Sequence, residues 1–285
     1  MEGQYIDANG VRTHYIDRGK GPVVLLMHGA SVAVDSWCTW RFTIAALASR
    51  FRVVAFDQIG FGRSDMPKDG RYVNRVDRCA HALAYLDAMK IDRAFLVGHS
   101  EGGFMAAYMA IQRPSFASGV VIVTSGATAP KLGGDRDREW FAASKAAYDY
   151  AGGVDTEDDF IRTNSSLAMS GDPEAEAILR DSYRRGRATG QIEMFRHLPE
   201  SETSFEGYIQ TQERHVHPHL ASLKAPILLI WAANDPTVPI ERGVALQQIA
   251  KHADLHVLGD ASHMVMLDRA DAFNGLLGGW CANAR

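Results

Sequence analysis

Short apolar runs alternate along this chain with longer segments of helical spacing. Residues 23–27 (VVLLM), 52–56 (RVVAF), 94–97 (AFLV), 119–124 (GVVIVT), 226–231 (PILLIW) and 255–258 (LHVL) are the apolar runs. Strands buried on both faces read this way, as in a parallel sheet. Between them, residues 41–48, 76–89, 104–112 and 243–252 carry helical patterns. Strand followed by helix, repeated, predicts an α/β fold with a doubly wound, mostly parallel sheet. Ahead of it, residues 5–18 read as a hairpin turning at Asn9-Gly10.

The alternation stops between about Thr128 and His217. That stretch contains DREWFAASKAAYDYA and DPEAEAILRDSYRRGRATG, rich in charge and in helix formers, and no buried-strand run. A helical cap over 128–217 is therefore expected, inserted into a core formed by 1–127 and 218–285. No internal repeat or low-complexity segment interrupts this plan.

Composition narrows the class. The chain has 285 residues, 46% hydrophobic and 22% charged, enough apolar material for a full core. A net charge of −4 offers no surface for a polyanion, so nucleic acid is not an expected partner. Three cysteines, Cys38, Cys79 and Cys281, are too few and too scattered for a disulfide framework. With no signal-like start and no run long enough to span a bilayer, a cytoplasmic protein is expected, with no membrane partner. A homo-oligomer is compatible with the sequence.

The chemistry concentrates at Gly98-His99-Ser100-Glu101-Gly102-Gly103, which follows a strand and opens a helix. G-x-S-x-G in that context places a serine on a tight turn, lifted clear of the sheet. Ser100 is the expected nucleophile, and a hydroxyl of this kind needs a base. The expected chain order is serine, acid, histidine. Asp235 follows the fifth run and His263 lies on a loop after the sixth, both at the sheet edge where α/β folds place functional groups. Asp260, close to His263 in sequence, is a rival for the acid. Oxyanion donors are expected from the amides of Glu101 and Ala30, with Ser31 as the fallback for the second. His28 is expected to hold its loop.

Other polar clusters are weaker. His215-Val-His217-Pro-His219 lacks nearby cysteine or carboxylate ligands and is interrupted by Pro218, so a metal is not expected. No organic cofactor is expected either. Arg180, Arg184, Arg185 and Arg187 read as a solvated helix face, from which one could pair with a substrate carboxylate. Glu101 could steer substrate or repel acidic substrates. Ser31, Trp37, Thr39, His99, Trp140, Phe141 and Met264 are the candidate substrate-binding residues, and Trp40 is expected in the core.

With HGA at 28–30, DQIGFGRSD at 57–65, GHSEGG at 98–103, NDPTVP at 234–239 and ASHM at 261–264, the chain resembles the α/β-hydrolase superfamily over nearly its whole length. SWCTWR at 36–41, FDQIGFGRSDMP at 56–67, DLHVLGDASH at 254–263 and DAFNGLL at 271–277 look more closely like the meta-cleavage-product hydrolases. That resemblance implies hydrolysis of a carbon–carbon bond in a ring-opened aromatic catabolite. Three positions depart from that group: Thr39 and His99 stand where it usually has Asn, and Met264 where it usually has Trp. Hydrolysis of a small carboxylic ester or lactone is therefore the first expectation. Carbon–carbon hydrolysis of a vinylogous diketone comes second, and a ligand-binding protein with little turnover third.

Overall fold

The structure, a computed structural model, describes residues 3–147, 155–165 and 174–284. Eight strands form one sheet: β1 (Gln4–Asp7), β2 (Arg12–Arg18), β3 (Val23–Met27), β4 (Arg52–Phe56), β5 (Ala94–His99), β6 (Ala117–Val123), β7 (Ile227–Ala232) and β8 (Asp254–Leu258). Their spatial order is β1-β2-β4-β3-β5-β6-β7-β8. The expected hairpin is β1 and β2, with β2 antiparallel to both β1 and β4; every later pairing is parallel.

The helices are α1 (Ser36–Leu47), α2 (Arg75–Ala88), α3 (Glu101–Gln112), α4 (Asp135–Ala147), α5 (Glu157–Ser165), α6 (Ala175–Thr189), α7 (Gln191–Arg196), α8 (Glu200–Thr203), α9 (Phe205–His215), α10 (His217–Leu220), α11 (Ile240–Ile249), α12 (Val265–Asp268) and α13 (Ala270–Asn283). Local chemistry starts two of them. The Asp35 side chain accepts from Cys38 N at 2.7 Å to open α1, and Asn74 accepts from Val76 N and Asp77 N to open α2.

Each face of the sheet carries its own apolar layer. One joins Leu25, Val54, Leu96 and Leu229 to α2 and α3 through Tyr85, Leu86, Phe104 and Met105. The other joins Val24, Val53, Val97 and Ile230 to α1 and α13 through Trp40, Ile44, Phe273 and Leu277. Helix α13 had no counterpart among the expected elements. Strand β8 also differs from expectation: as an edge strand it leaves Val257 and His256 exposed.

Between β6 and β7 the described residues form helices α4–α10 and no strand. Within the expected cap, residues 148–154 and 166–173 lie outside the described set. Several contacts tie the insertion to the sheet's loops. Phe160, Tyr183, Ile192 and Phe195 pack on Val32, Ala33 and Phe61. Arg185 Nη2 donates to Asp35 Oδ2 at 2.5 Å, at the start of α1. Among the described residues, no helix is long and apolar enough to cross a membrane.

Candidate active site

Strand β5 ends at His99 and α3 begins at Glu101, so Ser100 alone makes the turn. Its φ of 54° and ψ of −122° are strained for any residue with a side chain. The neighbours must yield space. A Cβ on Gly98 would lie 1.8 Å from Gly102 O, and one on Gly102 would lie 2.3 Å from Met27 O. Two hydrogen bonds pin the turn: Ser100 N donates to Val123 O at 2.9 Å, and Ser125 Oγ donates to Ser100 O at 2.6 Å.

Asp235 sits just beyond β7. Its Oδ1 accepts from Thr237 N at 2.7 Å, Thr237 Oγ1 at 2.9 Å and Val238 N at 2.9 Å. That leaves Oδ2 for His263 Nδ1, 2.8 Å away. A carboxylate there accepts, so Nδ1 carries the proton and Nε2 presents a lone pair. The backbone carbonyl of His263 accepts from His99 Nε2 and from Thr124 Oγ1, each at 3.0 Å, which fixes the loop. Asp260 is turned away: its side chain is 95% exposed and faces Arg269.

The loop after β3 presses against the nucleophile, since a Cβ on Gly29 would lie 2.9 Å from Ser100 Cβ. Among the described residues, the amides of Ala30 and Glu101 have no hydrogen-bond acceptor. His28 braces this loop. Its Nδ1 donates to Gly29 O at 2.7 Å and its Nε2 accepts from Gln58 N at 3.1 Å. Burial pushes His28 down to about 4, which keeps this neutral tautomer.

Ser100, His263 and Ala30 lie in the walls of two adjoining lobes. The large lobe, about 340 Å³, runs along Trp140 and Phe141 towards Tyr72, Glu202 and Tyr208. The small lobe, about 80 Å³, is lined by Ser31, Cys38, Arg41, His99 and Met264. His99 Nδ1 is buried there without a partner. Burial, aided by repulsion from His263, holds His99 well below the usual histidine range, so its free Nδ1 is an acceptor. Two of the expected substrate-binding residues line neither lobe. Thr39 is fully buried and donates to Asp35 O at 2.9 Å. Trp37 lines a separate groove beside Arg63 and Arg185.

The histidine cluster is dispersed. His215 packs edge-on against the Tyr108 ring, and His217 Nε2 meets Thr128 O at 2.8 Å. Three arginines of the run meet carboxylates: Arg180 and Arg184 on Glu157, Arg185 on Asp35 and Asp181.

Residues 22–270 match the family described as alpha/beta hydrolase fold. The chain belongs to that family. As an alpha/beta hydrolase it is a hydrolytic enzyme, and its relatives narrow the picture. It is 29% identical to the 2-hydroxymuconate semialdehyde hydrolase of Pseudomonas sp. (strain CF600), covering 99% of this chain and 94% of that one. It is 27% identical to the 2-hydroxy-6-oxo-6-phenylhexa-2,4-dienoate hydrolase of Burkholderia cepacia, over 95% and 92% of the two chains. Among solved structures, the meta-cleavage product hydrolase from Pseudomonas fluorescens IP01, complexed with acetates, superposes with a TM-score of 0.83 at 25% identity, covering 99% and 98%.

This alpha/beta hydrolase also carries a buried polar network beyond the residues expected from the sequence. Arg78 Nη2 donates to Glu101 Oε2 and, at 3.0 Å, to Tyr72 Oη, while Arg78 Nη1 donates to Gln58 Oε1 at 2.8 Å. Tyr72 Oη donates in turn to Glu101 Oε2 at 3.1 Å. Arg75 Nη1 donates to Glu202 Oε2 at 3.1 Å, and its Nη2 to Gln212 Oε1 at 3.1 Å and to Tyr208 O. A signal was present. Arg75 and Arg78 fall in the stripe Arg75, Arg78, Cys79, Ala82, Leu86, the buried face of α2. Arginines at core positions of an amphipathic helix imply buried partners.

Proposed function

We propose that this chain is a carbon–carbon bond hydrolase acting on a vinylogous diketone of the meta-cleavage type. The observation that carries this reading is the position of Ser100 and His263 at the junction of two lobes. A ketone cleaved at its carbon–carbon bond has a carbon substituent on each side and needs room for both. The full-length likeness to dienoate hydrolases supports the same reading over the ester or lactone substrate expected first. The helical insertion acts as the cap that closes the site.

The dienoate end occupies the small lobe. The guanidinium of Arg41 supplies positive charge for its carboxylate, and His99 Nδ1 accepts from its enol hydroxyl. His263 moves the enol proton to the dienyl carbon that becomes the leaving group, giving the diketone. Ser100 Oγ then attacks the distal carbonyl carbon, and its proton passes to His263 Nε2. The amides of Ala30 and Glu101 hold the resulting oxyanion, the largest electrostatic contribution to lowering the barrier. Asp235 stabilises the imidazolium. The carbon–carbon bond breaks, and the leaving carbanion, an enolate, takes the proton from His263. Water, deprotonated by His263, attacks the acyl-enzyme and releases the acid.

Hydrolysis of an ester or lactone uses the same groups without the ketonisation step. It stands as the second reading, because His99 and Met264, two of the departures from the related group, line the small lobe. The two are separated by following loss of the dienoate chromophore for a 6-phenyl or 6-alkyl substrate beside release of p-nitrophenol from acetate and butyrate esters. Dienoate turnover well above ester turnover is expected; the reverse order would make the second reading the better one. Ser100→Ala should lower either activity by roughly 10³-fold or more, and retained activity would remove Ser100 from its role.

A further inference from the structure

The wall of the large lobe joins aromatic sides to two acidic side chains. Glu101 and Glu202 each accept from an arginine through Oε2. Among the described residues, Oε1 of neither has a hydrogen-bond partner, and both residues line the cavity. The Glu202 side chain is only 5% exposed, so this is no surface carboxylate. Arg75 and Arg78 are fully buried behind the glutamates and do not line the lobe. An entering group therefore meets carboxylate oxygens first, with the positive charge screened behind them. The Tyr208 hydroxyl, kept neutral by burial, lies in the same wall.

The charges define what fits. Two arginines and two glutamates sum to zero when both acids are ionised. Burial, with repulsion from Glu101, pushes Glu202 up to about 7, which adds no negative charge to the cluster. That disfavours an ammonium group. A carboxylate would face Oε1 of both acids before reaching either guanidinium. An apolar ring would leave the same oxygens dry and unpaired, at a cost that a hydrogen bond removes. Lys145 and Arg196, which also line the lobe, are exposed.

We propose that Glu101 and Glu202 form an acidic subsite of the large lobe selecting substrates whose large-lobe substituent ends in a neutral hydrogen-bond donor, a hydroxyl, rather than in an apolar or carboxylate group. The inference rests on the reading of Ser100 as the nucleophile between the lobes. Rim cations play no part in it.

The test compares kcat/KM of the wild-type enzyme for matched 2-hydroxy-6-oxo-hexadienoates bearing phenyl, hydroxyphenyl or carboxyphenyl at the ketone. The hydroxyphenyl substrate should be favoured over phenyl by about 10-fold, carried mainly in KM, with carboxyphenyl poorest. Glu202→Gln keeps an acceptor for Arg75 and presents an amide to the cavity. It should lose most of that preference, read as the ratio of kcat/KM for the hydroxyphenyl and phenyl substrates within the one variant. Glu101→Gln offers a second variant should the first fold poorly. Equal turnover of the phenyl and hydroxyphenyl substrates, or a carboxyphenyl preference, would overturn the subsite. If no dienoate is turned over, the carbon–carbon reading fails by itself. The same comparison is then made with p-nitrophenyl 3-phenylpropanoate and its hydroxyphenyl counterpart, where a missing hydroxyl preference overturns the subsite independently.

Discussion

At the scale of single residues, catalysis depends on which atom of each side chain is already committed. Asp235 shows this best. Thr237 and Val238 occupy its Oδ1, so the carboxylate cannot rotate and Oδ2 is held for His263. In Asp235→Asn the oxygen would stay with Thr237 and Val238, and the amide would point at His263 Nδ1. The imidazole must then take the other tautomer, with Nε2 protonated and useless as a base. Activity should fall on the order of 10³–10⁴-fold with little change in KM or in Tm, measured by steady-state kinetics beside thermal unfolding. A drop of only a few-fold would show that His263 takes its orientation from elsewhere. The candidate serine, acid and histidine were legible in sequence because short motifs fix their local geometry. Trp37 and Thr39 were not, although helix geometry offered a warning. Residues two apart on a helix point about 200° from each other, so both could not face one site.

At the scale of elements, the junction of β5 and α3 is a piece of backbone packed too closely for side chains. The sequence signal for it was the glycine spacing, and the structure gives the reason as distances. Gly98→Ala would bring a methyl to within 1.8 Å of Gly102 O, which belongs to helix backbone and cannot swing away. Either the helix start or the strand end must shift, and Ser100 moves with it. A loss of stability of about 3 kcal/mol is expected by denaturant unfolding, with activity reduced more than 10²-fold in whatever protein folds. Near-normal activity would mean that the turn tolerates a displacement. Elements without such local markers were harder to read. Helix α13 is amphipathic, yet nothing in its own residues says which sheet face it covers. Strand β8 is exposed because it is last in the sheet, a property of topology that its apolar letters do not carry.

At the scale of the whole molecule, burial of neutral histidines should make stability fall in mild acid. His28 and His81 both meet the Gln58–Ile59 backbone, and each accepts from one of its amides. Gln58 N donates to His28 Nε2 at 3.1 Å and Ile59 N donates to His81 Nδ1 at 3.2 Å. The other nitrogens donate, His28 Nδ1 to Gly29 O at 2.7 Å and His81 Nε2 to Thr13 Oγ1 at 2.8 Å. Both rings are thus bound as neutral tautomers, and protonation would break a hydrogen bond from the backbone in each case. Burial accordingly lowers each to about 4 from an ordinary 6.5. The sign follows from proton uptake. Above about pH 6.5 neither the folded nor the unfolded chain binds the proton, and the contribution to stability is whole. As pH falls from 6.5 towards 4, only the unfolded chain takes up the proton, so stability is lost. Between pH 8 and pH 5 each histidine should cost about 2 kcal/mol. Glu202, raised to about 7, works in the opposite direction over part of this range, so the raw slope is a sum. A difference measurement separates them. His81→Gln keeps an acceptor for Ile59 N and cannot titrate. Its unfolding free energy, measured by denaturant at pH 8 and pH 5, should decline by about 2 kcal/mol less than that of the wild type over the same interval. An identical decline in both proteins would mean that His81 accepts its proton in the folded state without loss of stability.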